Sequence, residues 1–199
     1  MTKTKTVLFV DGTNLYGSQY ELFGPEAYLN FSQFLSTIEQ VLGKKFQTIY
    51  FYASYSPTPK IPSEKQKKYL KNEALFYRSV KQVSSVVFFK GYRSPTSGKE
   101  KEVDVKLTAD LVHLAHIDAY KEVFLLTGDA DFLQALFIIN SLRKKVQLLC
   151  LENKIMHKGM YHFQTSILHF SKKQFPSQRK TQLVTEFLLD KRKLVSKIL

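Results

Sequence analysis

Residues 123–132, VFLLTGDADF, constrain the fold more than any other stretch of the chain. Four apolar residues lead straight into a tight acidic turn, so a buried strand ends in two carboxylates, Asp129 and Asp131. The same pattern occurs near the N-terminus, where TVLFVDGTN ends its apolar run in Asp11 and turns at Gly12. In sheets of parallel strands, ligands bind beyond the carboxyl ends of the strands. The two segments therefore predict a shared site at one edge of such a sheet.

The rest of the chain alternates between strand and helix patterns. Apolar or aromatic runs predict further strands at 48–53, 85–89 and 146–151, while helical spacing predicts helices at 31–42, 63–81, from 103 onward and at 132–142. The helix at 132–142 is nearly all apolar and is therefore expected to be buried. Residues 15–30 contain Gly17, Gly24 and Pro25, which favours a loop. This alternation predicts an α/β fold whose parallel sheet is covered by helices on both faces.

The chain has 199 residues, a length that suits one domain. We expect this domain to span 1–171 and to be followed by a basic linker and an amphipathic C-terminal helix in 172–199. A short edge strand is expected at 167–170. The apolar stripe of the C-terminal helix must cover something: its own domain, a second copy in a homodimer, or a partner protein.

Positive charge is concentrated in two segments. Residues 44–81 carry nine Lys and Arg against two Glu, and residues 172–197 carry eight against two acids, so these segments hold the whole net charge of +13. A basic periphery around an acidic centre suits an enzyme that cleaves a polyanion, because cations hold its backbone while carboxylates hold a metal ion. Four cations of the helix at 63–81 should point outward: Lys65, Lys68, Lys71 and Arg78.

The single cysteine, Cys150, lies in an apolar run and allows no internal disulfide. It fits a reducing compartment, so we expect a cytoplasmic protein. No segment has the length needed to cross a bilayer, and the apolar run at the N-terminus is cut short by Asp11. We therefore expect no membrane partner.

A third acidic segment, EKEVDVKLTAD, places Asp104 in the first turn of a helix. If it meets the other two segments, Asp11, Asp104 and Asp129 could hold Mg²⁺ or Mn²⁺, which prefer carboxylate and water oxygens. Such an ion serves phosphoryl transfer by neutralising phosphate oxygens and lowering the pKa of an attacking water. Asp131 would complete the ligand set or orient that water.

Three further polar residues are expected to support this site. Asn14, one short turn past Asp11, could hold that carboxylate or a water, and Thr127 helps the chain turn toward the acidic pair. Asp110 lies six residues after Asp104, roughly 240° around the helix, so both cannot point equally at one ion. We expect Asp110 to contact the ligands and not the metal.

Together, VLFVDGTNLYG, EKEVDVKLTADLV and LLTGDADFLQAL resemble the three signature segments of the NYN domain, especially its LabA-like (DUF88) branch, within the PIN-like ribonuclease superfamily. The resemblance covers roughly residues 5–170. It implies a three-layer α/β/α sandwich with parallel strand order 3-2-1-4-5 and a metal-dependent endoribonuclease acting on single-stranded RNA or loops. Matched by position, the acidic site would be Asp11, Asp104, Asp129 and Asp131, with Asn14 as the polar residue of the first motif.

The sequence departs from the family pattern in two places. Where the family commonly has Gly after the fourth-strand helix, this chain has Arg143, Lys144 and Lys145, which we interpret as part of an RNA path. Where the family often has another Asp, the segment HFQTSILHF has no acid, which argues against a second metal ion.

Other functions fit less well. FVDGT is similar to the DxDGT motif of haloacid-dehalogenase-type phosphatases, but Phe9 stands where their aspartyl nucleophile is required. No G-x-G-x-x-G follows the first strand, as a dinucleotide-binding enzyme would need. The serious alternative is a PIN-like regulatory module that binds RNA or a protein partner without cutting, because a fold alone does not decide chemistry.

Overall fold

The computed structural model describes residues 5–93, 100–151, 164–169, 182–184 and 188–190. Five α-helices are described there: α1 (Gly12–Phe23), α2 (Phe31–Leu42), α3 (Glu64–Lys81), α4 (Val103–His116) and α5 (Leu133–Ser141). The strands described are β1 (Thr6–Asp11), β2 (Ala27–Leu29), β3 (Thr48–Ala53), β4 (Val86–Lys90), β5 (Tyr92–Arg93), β6 (Glu100–Lys101), β7 (Glu122–Leu126), β8 (Lys145–Leu151), β9 (Gln164–His169), β10 (Gln182–Val184) and β11 (Leu188–Asp190). Short 3₁₀ turns occupy Gly24–Glu26 and Ala130–Phe132.

The main sheet has the order β4-β3-β1-β7-β8-β9-β11. All neighbouring pairs are parallel except β11, which runs antiparallel to β9. The five strands predicted from apolar runs are consecutive in this sheet, from the edge strand β4 to β8, in the predicted order 3-2-1-4-5. The carboxyl ends of β1 and β7 are neighbours, because these two strands pair directly.

Alternate residues of each strand face opposite layers. Leu8 and Val10 pack into the core beneath α1, α2 and α3, whereas Val7 and Phe9 pack into the core beneath α4 and α5. Both faces of the sheet are thus buried, as continuous apolar strands require. The predicted α/β/α sandwich is confirmed.

The segment expected to be a loop, residues 15–30, was predicted wrongly. Helix α1 runs to Phe23 and buries Leu15 and Tyr16. The glycines misled the prediction, because Gly17 is an exposed helical residue and only Gly24, with φ of 72°, ends the helix. The loss of about 1 kcal/mol that an interior glycine brings is outweighed by the buried face of the helix.

The predicted amphipathic C-terminal helix is also contradicted where the tail is described. Residues 182–184 pair in parallel with β2, and residues 188–190 pair with β9 at the edge of the main sheet. Short apolar runs suit a helix or a strand equally well in sequence, and here the backbone groups of two existing strands select the strand. The remainder of 172–199 lies outside the described residues, and the boundary between 1–171 and this tail stays a prediction.

Helix α5 is less buried than its composition predicts. Ala135, Leu136 and Ile139 are buried, but Phe137 and Ile138 are 47% and 41% exposed. One face of a surface helix always points outward, and here this face includes two apolar residues beside polar ones. Within the described residues, no helix combines the length and apolar character needed to span a membrane.

Candidate functional site

Asp11 lies at the junction between β1 and α1 and belongs to both elements. It is the last residue of the strand and the N-cap of the helix, where its Oδ1 accepts a hydrogen bond from the Asn14 backbone N–H at 3.0 Å. The residue is only 4% exposed. Because the helix begins with no intervening loop, the carboxylate is held in a fixed direction at the carboxyl edge of the sheet.

Gly12 makes this sharp junction sterically feasible. A Cβ atom added there would lie 2.1 Å from Cε1 of the buried Phe51 ring and 2.8 Å from the Tyr52 carbonyl oxygen. Neither the ring nor the backbone of β3 can move aside without disturbing the core. The close approach of α1 to β3 therefore requires glycine.

Thr127, directly after β7, connects Asp11 to the second acidic segment. Its hydroxyl donates to Asp11 Oδ2 at 2.9 Å and accepts the Asp129 backbone N–H at 3.1 Å. Asn14 adds a parallel link, since its Oδ1 accepts the Gly128 N–H at 3.0 Å. The structure thus brings five positions of the two predicted segments together through hydrogen bonds between the ends of β1 and β7.

Asp129 and Asp131 continue the turn after Thr127. Asp129 is half-buried and caps the 3₁₀ turn Ala130–Phe132, because its Oδ1 accepts the Asp131 N–H at 3.0 Å. Asp131 is exposed. Its backbone is thus held by Asp129 while its carboxylate lies at the surface beside the network.

Helix α4 supplies the third acidic segment, and its two carboxylates have different surroundings. Asp104 lies in the first turn, as predicted, and is exposed. Asp110 accepts hydrogen bonds from the Tyr52 hydroxyl at 2.8 Å and from Lys106 Nζ at 2.6 Å. Burial and the Asp110 carboxylate raise the pKa of Tyr52 far above its ordinary value, so the phenol stays protonated and donates.

Tyr52 is the site-adjacent residue that sequence reasoning missed. It pairs with Asp11 across β1 and β3 and lies on the same face of the sheet. Its hydroxyl links that strand end to α4 through Asp110. The only signal in the sequence was its place near the end of TIYFYA, and this cannot show which strand lies beside Asp11.

The donor chemistry of the site fits a hard divalent cation. Asp11 and Asp129 present carboxylate oxygens from adjacent strand ends, and Mg²⁺ is usually held by one or two carboxylates together with water and substrate phosphates. Over the described parts of the chain, no three Asp, Glu, His or Cys side chains converge as a preformed metal cage would.

The predicted nucleic-acid contacts divide into two groups. Lys65, Lys68, Lys71 and Arg78 are all exposed on α3, as expected. Arg143, Lys144 and Lys145 lie at or just before the start of β8 and therefore at the amino edge, opposite Asp11.

Two of the three amino-edge cations form ion pairs with carboxylates of the same chain. Lys144 is buried and ion-paired with Asp118, and Lys145 lies 2.9 Å from Glu122. The predicted RNA path through Arg143, Lys144 and Lys145 is not supported by this placement, and these residues take no part in the function proposed for the chain.

Comparisons with known proteins agree with the fold. The sequence model of the NYN domain matches residues 5–179. A crystal structure of a protein of unknown function from Vibrio parahaemolyticus is similar with a TM-score of 0.60 and 22% identity, over 82% of this chain and 91% of that one. At this identity the likeness supports the fold alone. No curated protein is similar enough to count as a match.

Proposed function

The chain belongs to the NYN domain family, and from this premise we propose that it is a metal-dependent endoribonuclease that hydrolyses phosphodiester bonds of single-stranded RNA. The observation that carries the proposal is the hydrogen-bonded connection from Asp11 through Thr127 to Asp129. Two acidic strand ends are held together by a neutral hydroxyl. Such a pairing favours a site for a cation and a phosphate at this edge.

Asp11 and Asp129, with Asp104 and Asp131 as the further predicted carboxylates, would hold Mg²⁺ or Mn²⁺, whose chemistry is to offset charge on the phosphate oxygens and lower the pKa of an attacking water. The Asn14 N–H and the Thr127 hydroxyl fix the direction of the Asp11 carboxylate. Neutral donors orient a carboxylate without adding an opposing charge. Pre-set groups of this kind need little reorganisation when the reaction proceeds.

RNA binding is supported by the distribution of charge. The outward face of α3 carries Lys65, Lys71 and Arg78, and this helix begins near the carboxyl edge, because the loop after β3 leads into it. Cations along a surface bind a nucleic-acid backbone mainly by releasing its counterions. The cations of α3 would hold the RNA, and the site at the carboxyl edge would hydrolyse it.

One observation favours the alternative function, a PIN-like module that binds RNA or a protein without cutting. Three ligating side chains do not converge in the described residues, whereas a preformed metal centre would bring them together. A domain that kept the fold but lost its affinity for metal would have such an arrangement of side chains. The two functions differ in one measurable property, cleavage that depends on a divalent ion.

The decisive experiment uses end-labelled single-stranded RNA with Mn²⁺, with chelator, and with Asp129→Asn. We expect the wild-type protein to cleave only with the metal, and the variant to lose at least about a hundredfold in rate while still binding RNA. An RNA with one 2′-deoxy linkage at the cut site should still be cleaved there, because hydrolysis by an external water does not use the 2′-hydroxyl. By resemblance to PIN-type nucleases, the products should carry 5′-phosphate and 3′-hydroxyl ends.

The matched control is Glu21→Gln, which removes one exposed negative charge from α1 away from the site. Its rate should equal that of the wild type. Cleavage that survives both chelator and Asp129→Asn would contradict the proposal. No cleavage across many RNAs, despite calorimetric metal binding, would establish the binding module instead.

A further inference from the structure

A half-buried tyrosine just past the end of β3, Tyr55, has two lysines close to its ring. Lys81 Nζ lies 5.5 Å from the centre of its ring and 3.3 Å from its hydroxyl oxygen, and Lys90 Nζ lies 5.4 Å from the ring centre. Lys81 also lies 4.4 Å from the centre of the Phe88 ring. Three elements thus contribute to one small cluster: the loop after β3, the end of α3 and the end of β4.

Lys90 and Tyr55 lie at the same edge of the sheet as Asp11, and the Lys81 side chain reaches Tyr55 from the end of α3. The register aligns Asp11 with Tyr52 and Tyr52 with Phe89, so Lys90 is one residue beyond this row, two strands from Asp11. Two strand spacings amount to roughly 10 Å. Lys90 and Tyr55 lie on the α3 side of the sheet, whereas Asp11 lies on the α4 side, so a ligand that touches both must cross the carboxyl edge.

The lysines of the cluster differ from those at the amino edge. Lys44, Lys144 and Lys145 each contact a carboxylate. Within the described part of the chain, Lys81 and Lys90 lie against aromatic rings, and neither forms an ion pair with an acid. Both are exposed. Two ammonium groups held near one ring repel each other, and an anion between them would remove this repulsion.

The donors present suit a phosphate. Each ammonium group offers three N–H donors, and the Tyr55 hydroxyl accepts from Lys81 while its own proton remains able to donate. Packing against the rings restricts the two long side chains, so less side-chain entropy remains to be given up when the anion binds. The Tyr55 ring thus has two ammonium groups within 5.5 Å of its centre, and its hydroxyl lies beside one of them.

We propose that Lys81, Lys90 and the Tyr55 hydroxyl bind a backbone phosphate of single-stranded RNA, a few nucleotides from the bond that is cut. The choice of RNA as the polyanion rests on the proposed function. The binding itself does not depend on catalysis. Exposed lysines hold a free phosphate ion weakly, whereas a strand that also touches α3 gains from counterion release at each site.

The test measures binding without cleavage. A fluorescent single-stranded RNA is titrated with the full chain in chelator at several salt concentrations, and the slope of log K against log salt is compared for wild type and Lys81→Gln/Lys90→Gln. We expect the double variant to lower the magnitude of the slope by about 0.7 for each phosphate that the protein no longer neutralises. Tyr55→Phe should weaken binding about threefold, as expected for the removal of one hydrogen bond.

The matched control removes the same charge elsewhere. Lys45→Gln/Lys121→Gln neutralises two lysines that pair with Glu39 and Asp118 on other parts of the surface. This variant should keep the wild-type slope, and thermal unfolding should show that both double variants are folded. Equal slopes in the two double variants would overturn the proposal.

A second arm separates RNA from free phosphate. Inorganic phosphate and pyrophosphate are offered as competitors at the same ionic strength as a chloride control. Weak competition supports a subsite of an RNA track, whereas full displacement at low millimolar concentration would overturn it in favour of a free-phosphate site. A changed slope without any Mn²⁺-dependent cleavage would support this inference and contradict the nuclease, and cleavage with an unchanged slope would do the reverse.

Discussion

A buried carboxylate lies at a strand end on each edge of the sheet, Glu122 at the amino edge and Asp11 at the carboxyl edge, but the two are held in different ways. At the amino edge, Glu122 is 3% exposed and lies 2.7 Å from Lys44 Nζ and 2.9 Å from Lys145 Nζ. The Gln147 amide donates to it as well, at 2.6 Å. At the carboxyl edge, the hydrogen bonds described for Asp11 come from a backbone N–H and from the Thr127 hydroxyl.

This difference separates a structural carboxylate from a functional one. The lysines around Glu122 offset its charge. The ion pairs join β7 to its neighbours, and removing one partner would destabilise the fold. At the carboxyl edge, where ligands of parallel sheets bind, the Asn14 N–H and the Thr127 hydroxyl hold Asp11 in one direction. We infer that the amino edge serves stability and the carboxyl edge serves binding, and substitutions and pH changes at the two edges should therefore have opposite consequences.

The largest effect is expected for Asp11→Asn. Asparagine is as good an N-cap as aspartate and keeps an acceptor for Asn14, so the free energy of unfolding should change by less than about 1 kcal/mol. The rate of metal-dependent RNA cleavage should fall by about two to three orders of magnitude. Urea unfolding and the end-labelled assay measure the two quantities. A large loss of stability would show that Asp11 is structural, like Glu122.

For Glu122→Gln we expect the opposite result, a loss of stability without a specific loss of cleavage. Removal of this charge takes away the partner of two lysines, which are themselves partly exposed, so the loss of stability should be moderate, about 1–3 kcal/mol. Urea unfolding at neutral pH tests this value. Cleavage at a temperature where the variant is fully folded should match the wild type, and a specific rate defect would contradict the division of roles between the edges.

Acid should weaken the amino edge. Burial alone would raise the pKa of Glu122, but the hydrogen bonds from Lys44 and Lys145 outweigh it and hold the pKa below its ordinary value of 4.5. Its contribution to stability is therefore complete above pH 4.5 and is lost as the pH falls through the lower folded-state pKa.

The contribution of Asp118 to stability should also be lost in acid, because Lys121 and Lys144 lower its pKa to about 2. Urea unfolding between pH 7 and pH 3 should show a decline in stability, and the part that Glu122 contributes should be no larger than the loss caused by Glu122→Gln at neutral pH. If the free energy of unfolding depends less on pH in Glu122→Gln than in the wild type, the difference is due to Glu122. An identical profile would contradict the assignment.

The smallest effect is expected for Tyr52→Phe. The phenyl ring keeps its packing against Phe9, and only the hydrogen bond to Asp110 is removed, which should cost about 1 kcal/mol. The measurement is again urea unfolding. A loss of stability well above 3 kcal/mol would mean that the carboxyl edge also holds a structural carboxylate, at Asp110.

Much of the fold could be predicted because strand order and burial follow from simple patterns. Continuous apolar runs identified five parallel strands, and the carboxylates after β1 and β7 had to share one edge. The direction of a parallel strand also determines where its neighbours in sequence lie. Lys144 and Lys145 stand at the start of β8, so their place at the amino edge could have been deduced from the strand itself.

Other features depend on contacts that no local pattern contains. The start of α1 at Gly12 follows from its packing against Phe51 and Tyr52, whereas the glycines after it suggested a loop. The pairing of residues 188–190 with β9 depends on an edge formed twenty residues earlier in the chain. The partners of Tyr52 and Tyr55 became visible only when β3 was placed beside β1 and β4.

The direct passage from β1 into α1 has a consequence for how the protein would respond to partial unfolding. The amide proton of Gly128 is held by Asn14 across the two strand ends, so its exchange with solvent deuterium requires these ends to separate, while the amide proton of Asn14 is held by Asp11 within the junction itself. Peptides that contain these amides should exchange with the core strands and not with the surface loops. Hydrogen exchange would thus report the integrity of the site in any sample, including variants in which activity has already disappeared.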